Sequence, residues 1–279
     1  MKKFTIVSNP LKDSDLVIAN EVASYLEAKG AKCLIVNRSE DLPDLNNQVA
    51  ETECIMVIGG DGSMIHVVWR FGRLKLPFVG VNMGRVGYLT EIEPDNSKEY
   101  LDALINDEYE TEPRMMLKGS INVAGKDLIT CESINDIVIS RGDTAQIIRC
   151  EIFVNGELLY TYNGDGVIVS TPTGSTGYSL SAGGPIISPK ASMILITPIC
   201  PQSLNSRSVV LSADDEIEIK VDDYRKGVRM KANVFSDGQK YAEISSSDSI
   251  RIGKSDKVYT MLKIKKESFM ETLRKKIND

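Results

Sequence analysis

Over roughly the first 110 residues, short apolar runs alternate with stretches whose apolar positions recur every three or four residues. Phe4-Thr5-Ile6-Val7, Cys33-Leu34-Ile35-Val36, Cys54-Ile55-Met56-Val57-Ile58 and Pro77-Phe78-Val79-Gly80-Val81-Asn82 read as strands. Ile18, Val22, Tyr25 and Leu26 form the apolar stripe of a helix from about Leu16 to Lys29. Asp13 or Ser14 is its cap and Gly30 its stop. Further helices are predicted from Ser63 to Arg70, and from Ser97 to Ile105 behind an Asp95-Asn96 cap. From about Met115 the pattern changes. Strand-like runs follow one another at 134–140, 147–154, 157–162, 166–170, 193–197, 208–211, 216–221, 231–235, 249–252 and 258–264. Asn155-Gly156 is a type I′ hairpin signal. Ser268 to Ile277 reads as a closing helix with Phe269, Leu273 and Ile277 on its apolar side.

These elements predict an α/β N-terminal domain over residues 1–112, with a mainly parallel, Rossmann-like sheet. A larger all-β domain, a sandwich or layered sheets, is expected over 113–264. A C-terminal helix over 265–279 is expected to pack back on the first domain.

Composition narrows the class. The chain has 279 residues, 42% hydrophobic and 26% charged, as in a soluble globular protein. Its net charge of −6 argues against a general nucleic-acid binder. No apolar run approaches the ~20 residues that span a bilayer. The N-terminus is basic then apolar, but its apolar part is too short for a signal peptide. Cys33, Cys54, Cys131, Cys150 and Cys200 are odd in number and scattered, mostly in apolar runs. They read as buried thiols of a reducing cytoplasm. No Cys/His spacing suggests zinc.

Three segments carry candidate chemistry. Gly59-Gly60-Asp61-Gly62 lies between a strand and a helix, the arrangement that brings backbone N–H groups close to a phosphate. Its glycines permit φ > 0 and close approach. A carboxylate beside a phosphate cradle repels phosphate, which gives Asp61 a different role. It can ligate Mg²⁺, or accept a proton from an attacking hydroxyl. The segment Asn163 to Tyr178 holds five Ser/Thr hydroxyls, Asp165 and glycines at turn positions. It suits a loop that binds ribose, phosphate or amide groups, with Tyr178 available to stack on a base; the bland alternative is a polar surface loop. In Ile134-Asn135-Asp136-Ile137-Val138 an amide and a carboxylate open a β run. They suit a ribose diol, although Asn-Asp is also an ordinary turn opening. His66, the only histidine, shares a helical face with Arg70 and Arg73; it reads as a solvated basic face or as a phosphate contact one turn after Gly62. Trp69 aligns with Ile65 and Val68 and is expected in the core.

The order of these signals resembles the NAD kinases over nearly the whole chain. Further matching stretches are Gly80 to Thr90, Thr197 to Arg207, and Ser236-Asp237-Gly238-Gln239. The Gly-Gly-Asp-Gly turn alone is shared with lipid kinases and phosphofructokinases; the combination is far more specific.

The resemblance implies ATP-dependent phosphorylation of the 2′-hydroxyl of the adenosine ribose of NAD. Asp61 would be the general base, with Gly62 beside the substrate. Gly59, Gly60, Gly62 and Ser63 would meet the ATP phosphates. Tyr88 would lie against the adenine of NAD, and Asn135 and Asp136 would bind the ribose region. Asp165 with Thr176, Gly177, Tyr178, Ser179, Leu180 and Ser181 would line the NAD pocket, with Asn163, His66 and Gln239 at its periphery. Mg²⁺ or another divalent cation would come mainly through ATP, with no protein metal site. NAD and ATP would be the partners of a cytoplasmic homodimer or homotetramer that binds neither nucleic acid nor membrane.

Three positions depart from the family pattern. Asp136 stands where Glu is common, which shortens the carboxylate's reach by ~1.5 Å. Gly177 stands where Ala is common and should loosen that turn. Gln202 stands where His is frequent, which puts an uncharged amide in place of an ionisable ring. Two rival readings remain: a kinase with a lipid or sugar acceptor, and a non-catalytic NAD(P) sensor.

Overall fold

The computed structural model describes residues 1–37, 45–84, 87–90, 92–93, 97–142, 146–203, 205–222, 230–264 and 268–278. The expected Asp95-Asn96 cap and the Ile277 side chain lie outside the described residues. The chain divides into two compact units, one of Met1–Arg114 with Tyr259–Asp279 and the other of Met115–Val258.

In chain order the elements begin with β1 (Lys3–Ser8), α1 (Val17–Ala28), β2 (Lys32–Asn37), α2 (Leu45–Ala50), β3 (Cys54–Gly59), α3 (Asp61–Phe71), β4 (Pro77–Asn82) and α4 (Ser97–Ile105). Then follow β5 (Glu110–Asn122), β6 (Ile129–Ser133), β7 (Asp136–Arg141), β8 (Ile148–Val154), β9 (Glu157–Gly164), β10 (Gly166–Ser170) and α5 (Tyr178–Ser181). The last are β11 (Met193–Ile199), β12 (Val209–Ser212), β13 (Ile217–Asp222), β14 (Lys231–Ser236), β15 (Gln239–Ser245), β16 (Ser249–Lys263) and α6 (Phe269–Asn278).

In the first unit β2, β1, β3 and β4 pair in that order, all parallel, and Thr260 and Met261 of β16 pair in parallel with Pro77 and Phe78. Every residue of β3 is buried, which is why its sequence is a continuous apolar run. The face of α1 turned to the sheet carries Ala19, Val22, Ala23 and Leu26. This stripe is rotated from the expected one. Ile18 and Tyr25 lie at its margin, and the small alanines take the close contacts. The Tyr25 hydroxyl bonds Asp102 of α4 (2.9 Å), which also pairs with Lys29 (2.9 Å). Of the two expected caps, Asp13 acts: its carboxylate accepts the N–H groups of Ile18 (2.8 Å) and Ala19 (3.1 Å), two of the donors a helix start leaves unbonded. Ser268 and Glu271 close a capping box at the start of α6.

The second unit is a sandwich. One sheet runs β12-β11-β10-β7-β14-β15, all antiparallel. Facing it are antiparallel β8, β9, β13 and the first part of β16, while β5 pairs with β6. Ile137, Ile139, Val167, Val169, Ile194 and Ile196 of one layer share a core with Ile152, Ile217, Ile219, Ile250 and Ile252 of the other. Alternation does this: Ile217, Ile219 and Val221 point in while Glu218 and Lys220 point out. The expected I′ turn is present, with φ of 50° at Asn155 and 86° at Gly156.

Some expectations need correction. β5, β6 and β15 add to the expected strands; their buried positions include Glu112, Arg114, Ser133 and the small Ala242, so no apolar alternation marks them in the sequence. The runs at 249–252 and 258–264 are one strand, β16. Trp69 is 44% exposed rather than core, since α3 buries Met64, Val67, Val68 and Phe71 instead. Cys200 is exposed; the other cysteines are buried or half-buried.

Candidate active site

In the first unit β3 delivers the chain to Gly59, Gly60 forms the turn, and α3 begins at Asp61, two residues before the expected start. The expectation of φ > 0 in this turn is not met. Gly60 has φ −116° and ψ −171°, which any residue adopts. What glycine supplies here is space. A Cβ on Gly59 would collide with the Ser63 side chain, and one on Gly60 would lie 2.8 Å from Lys12 Nζ. Gly62 has nothing within 4 Å of that position. The N–H groups of Asp61 and Gly62 open the helix, where no intrahelical carbonyl is available to them. Ser63 is turned inward and 4% exposed. Its hydroxyl accepts from Asn9 Nδ2 (3.0 Å), and its N–H donates to Gly60 O (2.9 Å).

Asp61 holds a second loop. Its Oδ2 accepts the Tyr88 N–H (2.9 Å) and its Oδ1 the Leu89 N–H (3.0 Å). Gly87 packs so closely on this carboxylate that a Cβ there would collide with it. The Tyr88 ring lies 6.2 Å from the Phe269 ring, and Lys276 Nζ lies 3.9 Å from its centroid. Burial, then the nearby Asp61 charge, raises the Tyr88 hydroxyl above the usual phenol range. His66 is half-buried one turn along α3, its ring tilted against Trp69 at 6.3 Å.

The second unit carries the other expected residues. Asp237, in the left-handed region at φ 46°, faces the bend before β7. Its Oδ1 accepts the Ser133 hydroxyl (2.7 Å) and the N–H groups of Asn135 (2.8 Å) and Asp136 (3.3 Å). Its Oδ2 accepts the Ile134 N–H (2.8 Å). Asp136 is 6% exposed. Burial, then the Asp237 charge, pushes its carboxyl up to about 7. Burial also raises Asp237, opposed by its own hydrogen bonds. Asn135 is fixed through its carbonyl, which accepts the Thr171 N–H (2.8 Å), and its Oδ1 is buried without a partner among the described residues.

The polar loop wraps this bend. Gly174 packs on the Asn135 backbone too closely to admit a Cβ. At Gly177 a Cβ would find ordinary contacts, 3.4 Å from Gly174 O and 3.6 Å from Asn135 Nδ2, so this turn has room for a methyl group. Ser179 is buried and bonded to Thr197 (2.9 Å), while Tyr178, Leu180 and Ser181 are exposed on either side of it. Thr176 is half-buried, its hydroxyl donating to Thr173 O (3.1 Å). Burial raises the Tyr178 phenol first, followed by charge at Cys200, Asp136 and Asp165, so these groups share one electrostatic neighbourhood. Asp165, between β9 and β10, pairs with Arg141 (2.9 Å). The Asn163 carbonyl accepts the Gln202 N–H (2.8 Å), and Asn163 Oδ1 is another buried oxygen without a partner among the described residues. Gln239 opens β15, two residues past Asp237.

Sequence reading misses Asn9, Lys12, Arg141 and the clamp role of Asp237. Two of these have a local signal: Asn9-Pro10 is a turn opening, and Asp237-Gly238 is the pair of a tight hairpin turn.

Residues 4–109 match the family model of the ATP-NAD kinase N-terminal domain, and residues 134–264 that of the C-terminal domain. The chain belongs to the NAD kinase family. It is 41% identical to the NAD kinase of Lachnospira eligens, covering 99% of this chain and 100% of that one. It is 42% identical to the NAD kinase of Agathobacter rectalis, over 100% and 99% of the two chains. Among solved structures, an NAD kinase from Archaeoglobus fulgidus in complex with ATP superposes with a TM-score of 0.78 and 26% identity, over 98% of each chain. Yeast NADH kinase complexed with NADH superposes at 0.87 over 100% of this chain and 88% of that one; at 23% identity this is a likeness of fold.

Proposed function

We infer that this protein transfers the γ-phosphoryl group of ATP to the 2′-hydroxyl of the adenosine ribose of NAD, giving NADP. Membership of the NAD kinase family over both units carries the reading. A Gly-Gly-Asp-Gly turn at the start of α3 agrees with it.

Phosphoryl transfer asks a protein mainly for alignment and charge stabilisation. In the proposed reaction the 2′-oxygen forms a bond to the γ-phosphorus as the bond from that phosphorus to the β–γ bridging oxygen breaks. ADP leaves with the electron pair, and Asp61 accepts the hydroxyl proton. Both Asp61 oxygens already accept one N–H, and each retains a further lone pair for that proton. N–H groups of the turn at Gly59, Gly60 and Gly62 are proposed to meet the phosphates, with Ser63 bracing the turn from beneath. Tyr88 and His66 are proposed as NAD contacts on this unit. On the other unit Asn135, Asp136, Asn163, Asp165, Gln239 and the Thr176–Ser181 segment are proposed to bind NAD. The unpartnered oxygens of Asn135 and Asn163 support that assignment. At pH 7 Asp136 is poised between acceptor and donor, so it suits a ribose hydroxyl in either role.

Among the described residues no three acidic, His or Cys side chains converge as a metal cage. On the family resemblance, the divalent cation is proposed as part of the MgATP substrate, held mainly through the nucleotide and water. No helix among the described residues is long and apolar enough to cross a membrane. A cytoplasmic homodimer or homotetramer is proposed on the family resemblance, with five unpaired cysteines in keeping with a reducing compartment.

The test is NADP formation by purified protein from NAD and MgATP, read with an NADP-specific dehydrogenase. Turnover establishes the reaction. NAD binding without turnover points to the sensor, and neither binding nor turnover to a different acceptor.

A further inference from the structure

The turn at Asn9–Asp13 brings a cation to the phosphate end of α3. Asn9 donates its N–H to Ile58 O (3.1 Å) near the end of β3 and its side-chain amide to Ser63 Oγ (3.0 Å) in the first turn of α3. Its carbonyl accepts the N–H groups of Lys12 and Asp13, both at 2.9 Å. The root of Lys12 is thus tied to both sides of the Gly-Gly-Asp-Gly turn. Its other end reaches over that turn. A Cβ on Gly60 would lie 2.8 Å from Lys12 Nζ, and one on Gly84, past β4, 3.8 Å from it. The ammonium therefore occupies the space that glycine at position 60 leaves open.

Lys12 is exposed to solvent, and its ammonium faces the start of α3. A helix start carries partial positive charge, and a cation there is repelled. Among the described residues no carboxylate pairs with Lys12. Asp61, the acid of the turn, bonds Tyr88 and Leu89. An anion lying between the ammonium and the open N–H groups of Asp61 and Gly62 turns the repulsion into attraction.

We propose that Lys12 binds the polyphosphate chain of ATP, its ammonium bonding a phosphate oxygen beside the N–H groups of the turn. The proposal rests on the phosphoryl-transfer reading and assigns a donor-side residue to it. Negative charge grows on the ADP oxygen as its bond to the γ-phosphorus breaks. A cation already held in place needs no reorganisation to meet that charge. A lysine suits this role as a compact point charge on a flexible stem.

The test compares wild type, Lys12→Met, which keeps the stem, and Lys12→Arg, which keeps the charge, all in the full chain. Lys12→Met is expected to raise KM for MgATP by ~10-fold or more, the weight of one charge-assisted hydrogen bond. KM for NAD should stay within about twofold, since the loss is confined to the anion. Lys12→Arg should recover most of the difference, and inorganic tripolyphosphate should compete with MgATP less well in Lys12→Met than in wild type. An unchanged KM for MgATP overturns the proposal. So does a parallel rise in both KM values with a lowered melting temperature, the mark of a structural lysine. If Lys12→Met does not fold, Lys12→Gln replaces it and the same outcomes apply. If wild type forms no NADP, the kinase reading fails. Calorimetric titration of tripolyphosphate then still decides Lys12: weaker binding to the variant supports its role, and equal binding overturns it.

Discussion

Two turns in this molecule are each held by one aspartate, and the two carboxylates differ in what they have left over. Asp61 reaches 27 and 28 residues along the chain, to the N–H groups of Tyr88 and Leu89, and accepts one hydrogen bond on each oxygen. Asp237 reaches back 101 to 104 residues and accepts four, three of them on one oxygen. Asp61 opens a helix, beside N–H groups that carry partial positive charge, and it can position a loop while accepting a proton. Asp237 is occupied as a clamp. It fixes the bend from which Asn135 and Asp136 project. A carboxylate near a site is chemical or structural according to how many fixed donors surround it, and residue type alone does not tell which.

Several substitutions can break that contrast. The largest effect is expected for Asp61→Asn, which should lower kcat by ~10³-fold, the range of a lost general base, with KM for NAD changed little. An Asn variant whose whole defect is a raised KM for NAD would mean that Asp61 serves only as a loop anchor. Asp237→Ala should do the reverse. Stripping four donors of their acceptor should destabilise the protein by about 3–5 kcal/mol in denaturant unfolding and raise KM for NAD more than it lowers kcat.

Asp136→Asn sharpens the comparison through pH. The folded Asp136 carboxyl lies at about 7, above its ordinary value of 3.8. The native state therefore binds the proton more tightly than the unfolded chain, and stability is lost as pH rises from about 4 through 7. An asparagine does not titrate. The stability of Asp136→Asn relative to wild type should therefore grow by about 1–3 kcal/mol between pH 5 and pH 8, in unfolding of the protein free of nucleotides. A difference independent of pH would mean that Asp136 is ionised throughout that range. The smallest effect belongs to Lys276→Ala. Removing a cation from one face of Tyr88 should shift KM for NAD by no more than a few-fold, about 0.5–1 kcal/mol.

Legibility follows the same contrast. In the first unit each strand, its turn and the next helix are adjacent in sequence. The buried run Cys54–Ile58, the glycines and the amphipathic α3 are visible together. Even there α3 starts earlier than its pattern suggests, because Asp61 and Gly62 are weak helix formers whose position at the helix start is set by the turn. Spacing alone points Trp69 inward, but the neighbouring rows Met64-Val67-Val68-Phe71 fill the interface. In the second unit the strands rich in Ile and Val are legible, and β5 and β15 are not. The inward positions of β5 include Glu112 and Arg114 and those of β15 only Ala242 and Ile244, so neither shows the apolar alternation that a half-buried strand carries.

The sequence by itself determined the order of elements, the change from βα alternation to successive strands at about Met115, and the family, since each of these is written in neighbouring residues and their spacing. Only the tertiary structure decided what individual polar groups do. It put Lys12 over Gly60, tied Asp61 to the Tyr88 loop, and turned Asp237 from one member of a hairpin turn into the clamp of the Asn135-Asp136 bend. It also shifted the Asp136 carboxyl towards neutrality by burying it near a second carboxylate. Hydrogen bonds and desolvation depend on which groups come within a few ångströms in space, and for these residues the partners lie tens to a hundred positions away in the chain.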